Sequence, residues 1–177
     1  MASQASYVQK GYGQVEPNHL SAQRTGQIYA QLAAAEDLDI LENGQDVKYN
    51  YADRVVDFAG EGEWMLVFNE VKVYHDRDTD RDFAMIRDNY DAKIYDAAGN
   101  LMPENTKMVP RVFKTNVGDI YTTNTLNADD PQLKDTFAPN ATGILEASTS
   151  TDGMLWQVVK VYTMPDGQPG VKLMRIQ

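Results

Sequence analysis

The chain has 177 residues, 42% of them hydrophobic and 24% charged, which is the composition of one folded domain with a hydrophobic core. Its formal net charge of -10 disfavours nucleic acid as a partner, because an acidic surface repels phosphates. The absence of cysteine excludes disulfides and thiolate chemistry, and no apolar stretch reaches the roughly 18 residues of a membrane span. We therefore expect no membrane partner.

Residues 1–27 are predicted to form an extended N-terminal arm, and residues 28–177 a single β-domain. The arm is polar, and its glycines and Pro17 interrupt any apolar period. Its scattered apolar and aromatic side chains suit a segment that becomes ordered only against a partner. The candidate partner-binding residues are Tyr7, Tyr12, Val15, His19, Leu20 and Arg24.

The chain from residue 27 to residue 50 gives mixed signals. Residues 27–41 fit a helix and a strand equally well, and the alanine run at residues 33–35 favours a helical turn. The Asn43-Gly44 pair predicts a tight hairpin. Alternation of Val47, Tyr49 and Tyr51 with polar residues then predicts a strand.

Strand signals dominate the rest of the chain. A long run at residues 64–74 predicts a strand that passes from the middle of a sheet to its edge. Residues 154–164 and 171–176 are predicted to form a final hairpin, because Pro and Gly occupy turn positions between them. Shorter strands are expected at residues 55–58, 83–86, 92–95, 109–113, 119–124 and 143–147. About ten short strands indicate a mainly β fold, either a small β-barrel or a β-sandwich.

The two tryptophans mark the expected core. Trp64 and Trp156 lie in the two most apolar stretches of the chain. Each precedes a Val-Lys-Val-Tyr segment of high strand propensity. Both are therefore predicted to lie on central strands with their rings in a shared interior.

Motifs for catalysis are missing from the sequence. Only His19 and His75 could serve in a Ser-His-Asp arrangement, and neither lies near a nucleophile motif. No phosphate-binding, dinucleotide-binding or zinc-protease motif occurs either. We therefore predict that the protein is not an enzyme, with no catalytic residue and no cofactor. The many carboxylates leave hydrolysis as a third interpretation.

The loop at residues 76–82 carries a carboxylate at every second position, which could offer oxygen ligands to Ca²⁺. A calcium loop of this spacing needs Gly at its sixth position and Glu at its twelfth, where this chain has Arg81 and Arg87. Arg77 and Arg81 can instead pair with the neighbouring acids. We predict a solvated loop with local ion pairs and no metal site.

Ten tyrosines supply amphipathic rings of the kind that is common at interfaces. The same rings are also ordinary constituents of strands. Tyrosine rings can also stack on sugar rings in carbohydrate-binding sites. A carbohydrate- or receptor-binding β-module of a virion or cell surface is therefore an alternative function, and it predicts a solvent-facing groove lined by aromatic side chains.

Four phrases of the sequence together resemble small head-associated proteins of tailed bacteriophages. These phrases are VEPNHLSAQRTG at residues 15–26, ILENGQ at 40–45, GEWMLVFNEV at 62–71 and VGDIYTTN at 117–124. The resemblance is to capsid decoration proteins, also called cement proteins, or to minor head proteins. It extends over most of the chain and includes no catalytic motif.

The resemblance implies a non-enzymatic structural protein of the virion. Such a protein would decorate or cement the capsid shell through multivalent protein-protein contacts, each of them weak. Its expected partners are the shell of the major capsid protein and further copies of itself. The expected location is the capsid exterior, after synthesis in the host cytoplasm.

Overall fold

The structure is a computed structural model and describes residues 12–69, 84–87, 95–100, 107–165 and 167–177. These residues form fifteen strands and one short helix, α1 (Ala22–Thr25), which confirms the predicted mainly β fold. In chain order the strands are β1 Val15–His19, β2 Ile28–Tyr29, β3 Ala33–Ala34, β4 Ile40–Glu42, β5 Asp46–Asn50, β6 Val55–Asp57, β7 Met65–Val67, β8 Ala84–Ile86, β9 Val112–Phe113, β10 Ile120–Thr123, β11 Leu126–Asn127, β12 Thr136–Pro139, β13 Leu145–Ala147, β14 Trp156–Thr163 and β15 Pro169–Arg175.

The strands form three sheets. A seven-stranded sheet has the order β1-β10-β15-β14-β12-β13-β11, a six-stranded sheet has the order β2-β9-β7-β5-β6-β3, and β4 pairs with β8. Neighbouring strands are antiparallel except in the pairs β3–β6 and β11–β13. None of the sheets closes on itself within the described ranges, so the fold is sandwich-like and not a barrel.

Two hydrophobic cores lie on opposite faces of the six-stranded sheet. The first core fills the space between the two large sheets and includes Leu66 of β7 and Tyr121 of β10. Met65 and Val67, the neighbours of Leu66 on β7, belong instead to a second core with Leu41 of β4. Because side chains alternate along a strand, the six-stranded sheet is the middle layer between the two cores.

The predicted N-terminal arm is part of the folded domain from residue 12 onwards. β1 is an edge strand of the seven-stranded sheet and pairs with β10, with Val15 opposite Thr123. Leu20 is 3% exposed and Ala22 is fully buried, both in the first core. The predicted extended arm is therefore corrected for residues 12–27, because their apolar side chains find partners within the chain. Residues 1–11, which include Tyr7, lie outside the described residues.

Two local predictions are wrong. Residues 33–35 do not form a helical turn, because β3 pairs in parallel with β6. The Asn43-Gly44 pair does not close a hairpin, because β4 pairs with β8 whereas β5 pairs with β6 and β7. Gly44 has a φ of 93°, and a Cβ atom there would lie 2.5 Å from Thr123 Oγ1. The close approach of β10 therefore requires glycine at this position.

The predicted C-terminal hairpin is confirmed, since β14 and β15 pair antiparallel. In its turn the N–H of Met164 donates to the carbonyl of Gln168 at 2.7 Å, and Gly167 has a φ of 85°. The segments predicted as strands at residues 55–58, 109–113, 119–124 and 143–147 contain β6, β9, β10 and β13. The predicted strand at residues 64–74 is described only to residue 69, where it contains β7.

The two tryptophans occupy different environments. Trp156 on β14 is fully buried, as predicted, and its ring meets the ring of Tyr121 edge to face at 4.7 Å between centroids. Trp64 lies one residue before β7 and is only half-buried. The ammonium of Lys48 lies 4.5 Å from the centroid of the Trp64 ring. The prediction of two interior rings on central strands therefore holds for Trp156 alone.

Candidate functional site

The predicted partner-binding residues differ in accessibility. Leu20 belongs to the first core and is unavailable to a partner, which corrects its predicted role. Val15 is half-buried and packs against the same core, and Tyr12 is half-buried as well. His19 at the end of β1 and Arg24 in the last turn of α1 are exposed. Among the predicted residues that the structure describes, these two have the greatest access to a partner.

A group of polar side chains connects β1 with the C-terminal hairpin across the seven-stranded sheet. This Tyr162 cluster consists of Glu16, Asn18, Thr122, Lys160, Tyr162 and Lys172. The hydroxyl of Tyr162 donates to Glu16 Oε2 at 2.5 Å and lies 2.9 Å from Thr122 Oγ1. Thr122 Oγ1 in turn donates to Asn18 Oδ1 at 2.8 Å. Burial, followed by the hydrogen bond to Glu16, raises the pKa of the Tyr162 phenol.

The ring of Tyr162 lies beside two ammonium groups. The Nζ atoms of Lys160 and Lys172 are 5.1 Å and 5.6 Å from its centroid. The two lysines lie opposite each other on β14 and β15, where like charges repel. The negative face of the aromatic ring offsets part of this repulsion. The cluster thus combines two positive charges with the carboxylate of Glu16, on a chain of net charge -10.

The Tyr162 cluster lies on the outer face of the seven-stranded sheet. Tyr121 and Leu173 point into the first core, so their strand neighbours Thr122 and Lys172 point to the opposite side. Neither core of the described residues lies on that side of the sheet. Within the cluster Asn18 and Lys160 are exposed, Glu16, Tyr162 and Lys172 are half-buried, and Thr122 is buried. Sequence reasoning missed this cluster because Glu16 and Tyr162 are 146 residues apart, and only the sheet register brings them together.

A second surface is a half-open cleft beside the end of β5, which we call the Tyr51 cleft. Its lining residues are Tyr49, Asn50, Tyr51, Ala52, Asp53, Ala59, Gly60, Glu61 and Gly62, and its volume is about 320 Å³. The side chain of Tyr51 is 72% exposed. Its ring meets that of Tyr49 edge to face at 5.7 Å, and Tyr49 meets Tyr29 in the same way at 5.7 Å. The exposed ring is thus the outermost of three connected rings.

Polar groups fix the two loops that border the Tyr51 cleft. Asn50 Nδ2 donates to Asp53 Oδ2 at 2.9 Å and to Asp57 Oδ2 at 3.0 Å. The other carboxylate oxygen of Asp57 accepts the backbone N–H of Gly60 at 2.7 Å. A Cβ atom at Gly60 would lie 3.1 Å from the carbonyl oxygen of Tyr49, so glycine allows this loop to lie against β5. The cleft is therefore held in shape by hydrogen bonds within the chain.

Asp46 on β5 is an ionisable side chain that lies opposite Leu66 of the first core. It is fully buried, and no described residue forms a hydrogen bond with either of its carboxyl oxygens. The Tyr121 hydroxyl and the Trp156 indole N–H, both in the first core, have no hydrogen-bond partner among the described residues either. Burial raises the pKa of Asp46 from 3.8 to about 8, and the charge of Arg175 opposes this shift. Burial also raises the pKa of Tyr121, with a smaller contribution from Asp46.

Metal-binding clusters and membrane-spanning helices are both absent from the described residues. In those ranges no group of three or more His, Asp and Glu side chains could hold a metal ion. No helix in the same part of the chain is long and apolar enough to cross a membrane. The acidic loop at residues 76–82, predicted to bind no metal, lies outside the described residues. Comparison with protein-family models, with characterised proteins and with solved structures finds no match to this chain.

Proposed function

We propose that this chain is a non-enzymatic structural protein of a tailed-phage virion, which decorates or cements the capsid shell from the outside. One observation carries the proposal. Two of the four phrases that resemble phage head proteins, at residues 15–26 and 117–124, contain β1 and β10, which lie side by side at the edge of the seven-stranded sheet. They supply Glu16, Asn18 and Thr122 to the Tyr162 cluster.

The outer face of the seven-stranded sheet suits docking on a shell protein. It spans several adjacent strands, and a broad face of this kind permits many weak contacts with one partner. Lys160 and Lys172, beside the carboxylate of Glu16, give it two ammonium groups that can pair with acidic side chains of the shell. Repetition over a lattice of identical subunits would then multiply the affinity of each copy. Contacts between neighbouring copies of the chain would add to this hold.

Binding to purified shells tests the proposal directly. Shells of the encoding phage, assembled without this chain, would be mixed with the purified protein, and bound copies would be measured by co-sedimentation and located by electron microscopy. We expect saturable binding on the shell exterior. Lys172→Glu should weaken binding, because it replaces a positive charge of the Tyr162 cluster with a negative one.

The matched control for this substitution is Lys107→Glu. Lys107 is exposed and adjoins Met108 of the second core, away from the outer face of the seven-stranded sheet. The control makes the same charge change and should leave binding intact. Failure of the wild-type protein to bind shells would contradict the proposed function. Equal weakening by both substitutions would contradict docking through the Tyr162 cluster.

A further inference from the structure

The Tyr51 cleft exposes a large aromatic ring that the cores do not use. Tyr49 is 3% exposed and belongs to the second core, whereas Tyr51 is 72% exposed and meets the Tyr49 ring edge to face. Tyr49 also accepts the backbone N–H of Gln31 at its hydroxyl, at 3.3 Å. The inner ring is therefore fixed by packing and hydrogen bonding, and it supports the outer one.

The backbone next to Tyr51 adopts a conformation that costs free energy. Arg54, in the turn that follows Tyr51, has a φ of 58°, a left-handed value that residues other than glycine adopt only at a cost in free energy. Asp53 stabilises the same turn, since its N–H donates to Asn50 Oδ1 at 3.1 Å. The turn that follows Tyr51 is thus tied back to Asn50 at the end of β5.

The chemistry of the cleft combines one flat apolar surface with several hydrogen-bond acceptors. An exposed aromatic ring offers its face to the C–H groups of a pyranose, and this contact excludes water from both surfaces. The carboxylates of Asp53 and Glu61, which line the cleft, can accept hydrogen bonds from hydroxyl groups. A second cleft of similar size, lined by residues that include Glu42, Thr125 and Asn140, has no aromatic lining residue. The aromatic platform therefore distinguishes the Tyr51 cleft.

We infer that the Tyr51 cleft binds oligosaccharides of neutral or N-acetylated hexoses, with Tyr51 stacking on a sugar ring and Asp53 and Glu61 accepting hydroxyl hydrogen bonds. The acidic rim excludes uronic and sialic acids, because their carboxylates would meet like charges. A half-open cleft of about 320 Å³ matches one or two sugar units rather than a long buried chain. This activity is separate from shell docking and does not depend on it.

Titration of the purified full chain tests the inference. The probes are chitotetraose and maltohexaose, with an oligogalacturonate as the anionic counterpart. Binding would be measured by calorimetry and by the chemical shifts of backbone amides. We expect at least one neutral probe to bind and to shift amide resonances of residues 49–62, and the anionic probe to leave them unchanged.

Substitutions at Tyr51 make the test specific. Tyr51→Ala should weaken binding by at least about tenfold, because it removes the platform, whereas Tyr51→Trp should retain binding. The matched control is Tyr95→Ala, since Tyr95 is another exposed tyrosine, at 60%, and does not line the cleft. A thermal melt would verify that each variant folds. Absence of binding by both neutral probes, or equal binding by wild type and Tyr51→Ala, would overturn the inference.

Discussion

Asp46 should make the stability of this protein depend on pH, and Asp46→Asn should remove that dependence. Its pKa is raised to about 8 in the folded chain, from an ordinary value of 3.8. Between these two values the unfolded chain has lost the proton while the folded chain retains it. The folded state therefore binds more protons, and its free energy of unfolding must fall as the pH rises through this window.

The size of the effect follows from the width of the window. Each pH unit inside it costs about 1.4 kcal/mol, so raising the pH from 5 to 7 should lower the free energy of unfolding by about 2.5 kcal/mol through Asp46 alone. This is a large fraction of the roughly 5–15 kcal/mol that stabilises a typical domain. Asparagine has nearly the same shape and does not ionise, so its burial costs the same at each pH.

The assay is urea unfolding at pH 5, 6 and 7, followed by tryptophan fluorescence, which the fully buried Trp156 makes sensitive to unfolding. The free energy of unfolding of Asp46→Asn, relative to wild type, should increase by about 2.5 kcal/mol across this range. All other titrating groups are shared by the two proteins and cancel in the difference. Asp152→Asn, at an exposed position, makes the same charge change and serves as the matched control. A constant difference for Asp46→Asn would refute the reasoning.

Three further predictions concern packing. Trp156→Ala should lower the free energy of unfolding by about 3–5 kcal/mol in urea titrations. Trp64→Ala should lower it by clearly less, because Trp64 is only half-buried, and equal losses would contradict the placement of the two rings. Gly143→Ala should be more destabilising than Gly153→Ala in thermal melts. Both glycines have a positive φ, but a Cβ atom at position 143 would overlap the carbonyl oxygen of Asp46 in β5, whereas a Cβ atom at position 153 would meet no other atom. Equal melting temperatures of the two variants would show that this overlap does not affect stability. Deleting residues 1–27 should lower the melting temperature strongly, because it removes β1 and the core side chains of Leu20 and Ala22. If these residues formed a mobile arm, the deletion would leave the melting temperature unchanged.

The sequence pattern predicted those strands and turns whose formation depends on residues close together in the sequence. Alternation around Val47 indicated β5, and the turn residues near Gly167 indicated the C-terminal hairpin. The Asn43-Gly44 pair was misread because a glycine can serve a close approach between distant segments as well as a hairpin turn. β1 was misread because Leu20 reads as an isolated apolar residue until the core is assembled.

The candidate surfaces were harder to predict than the strands. The Tyr162 cluster depends on the register of four strands, and no local pattern encodes pairing between segments so far apart. The count of tyrosines suggested a groove lined by aromatic side chains, but it could not select Tyr51. In the alternation Tyr51 reads as a continuation of β5, whereas the strand ends at Asn50 and the following turn carries the ring outwards.

The six-stranded sheet is the middle layer of the fold, and the Tyr162 cluster and the Tyr51 cleft lie on opposite sides of it. The Tyr162 cluster lies on the outer side of the seven-stranded sheet, whereas Tyr51 contacts Tyr49 on the side of the second core. A copy held through one side would therefore leave the other side facing the medium. On the proposed shell the proposed sugar-binding clefts would recur at the spacing of the lattice, so a sugar-coated surface would meet many of them at once. Weak recognition by each cleft would then suffice for adhesion of the whole particle.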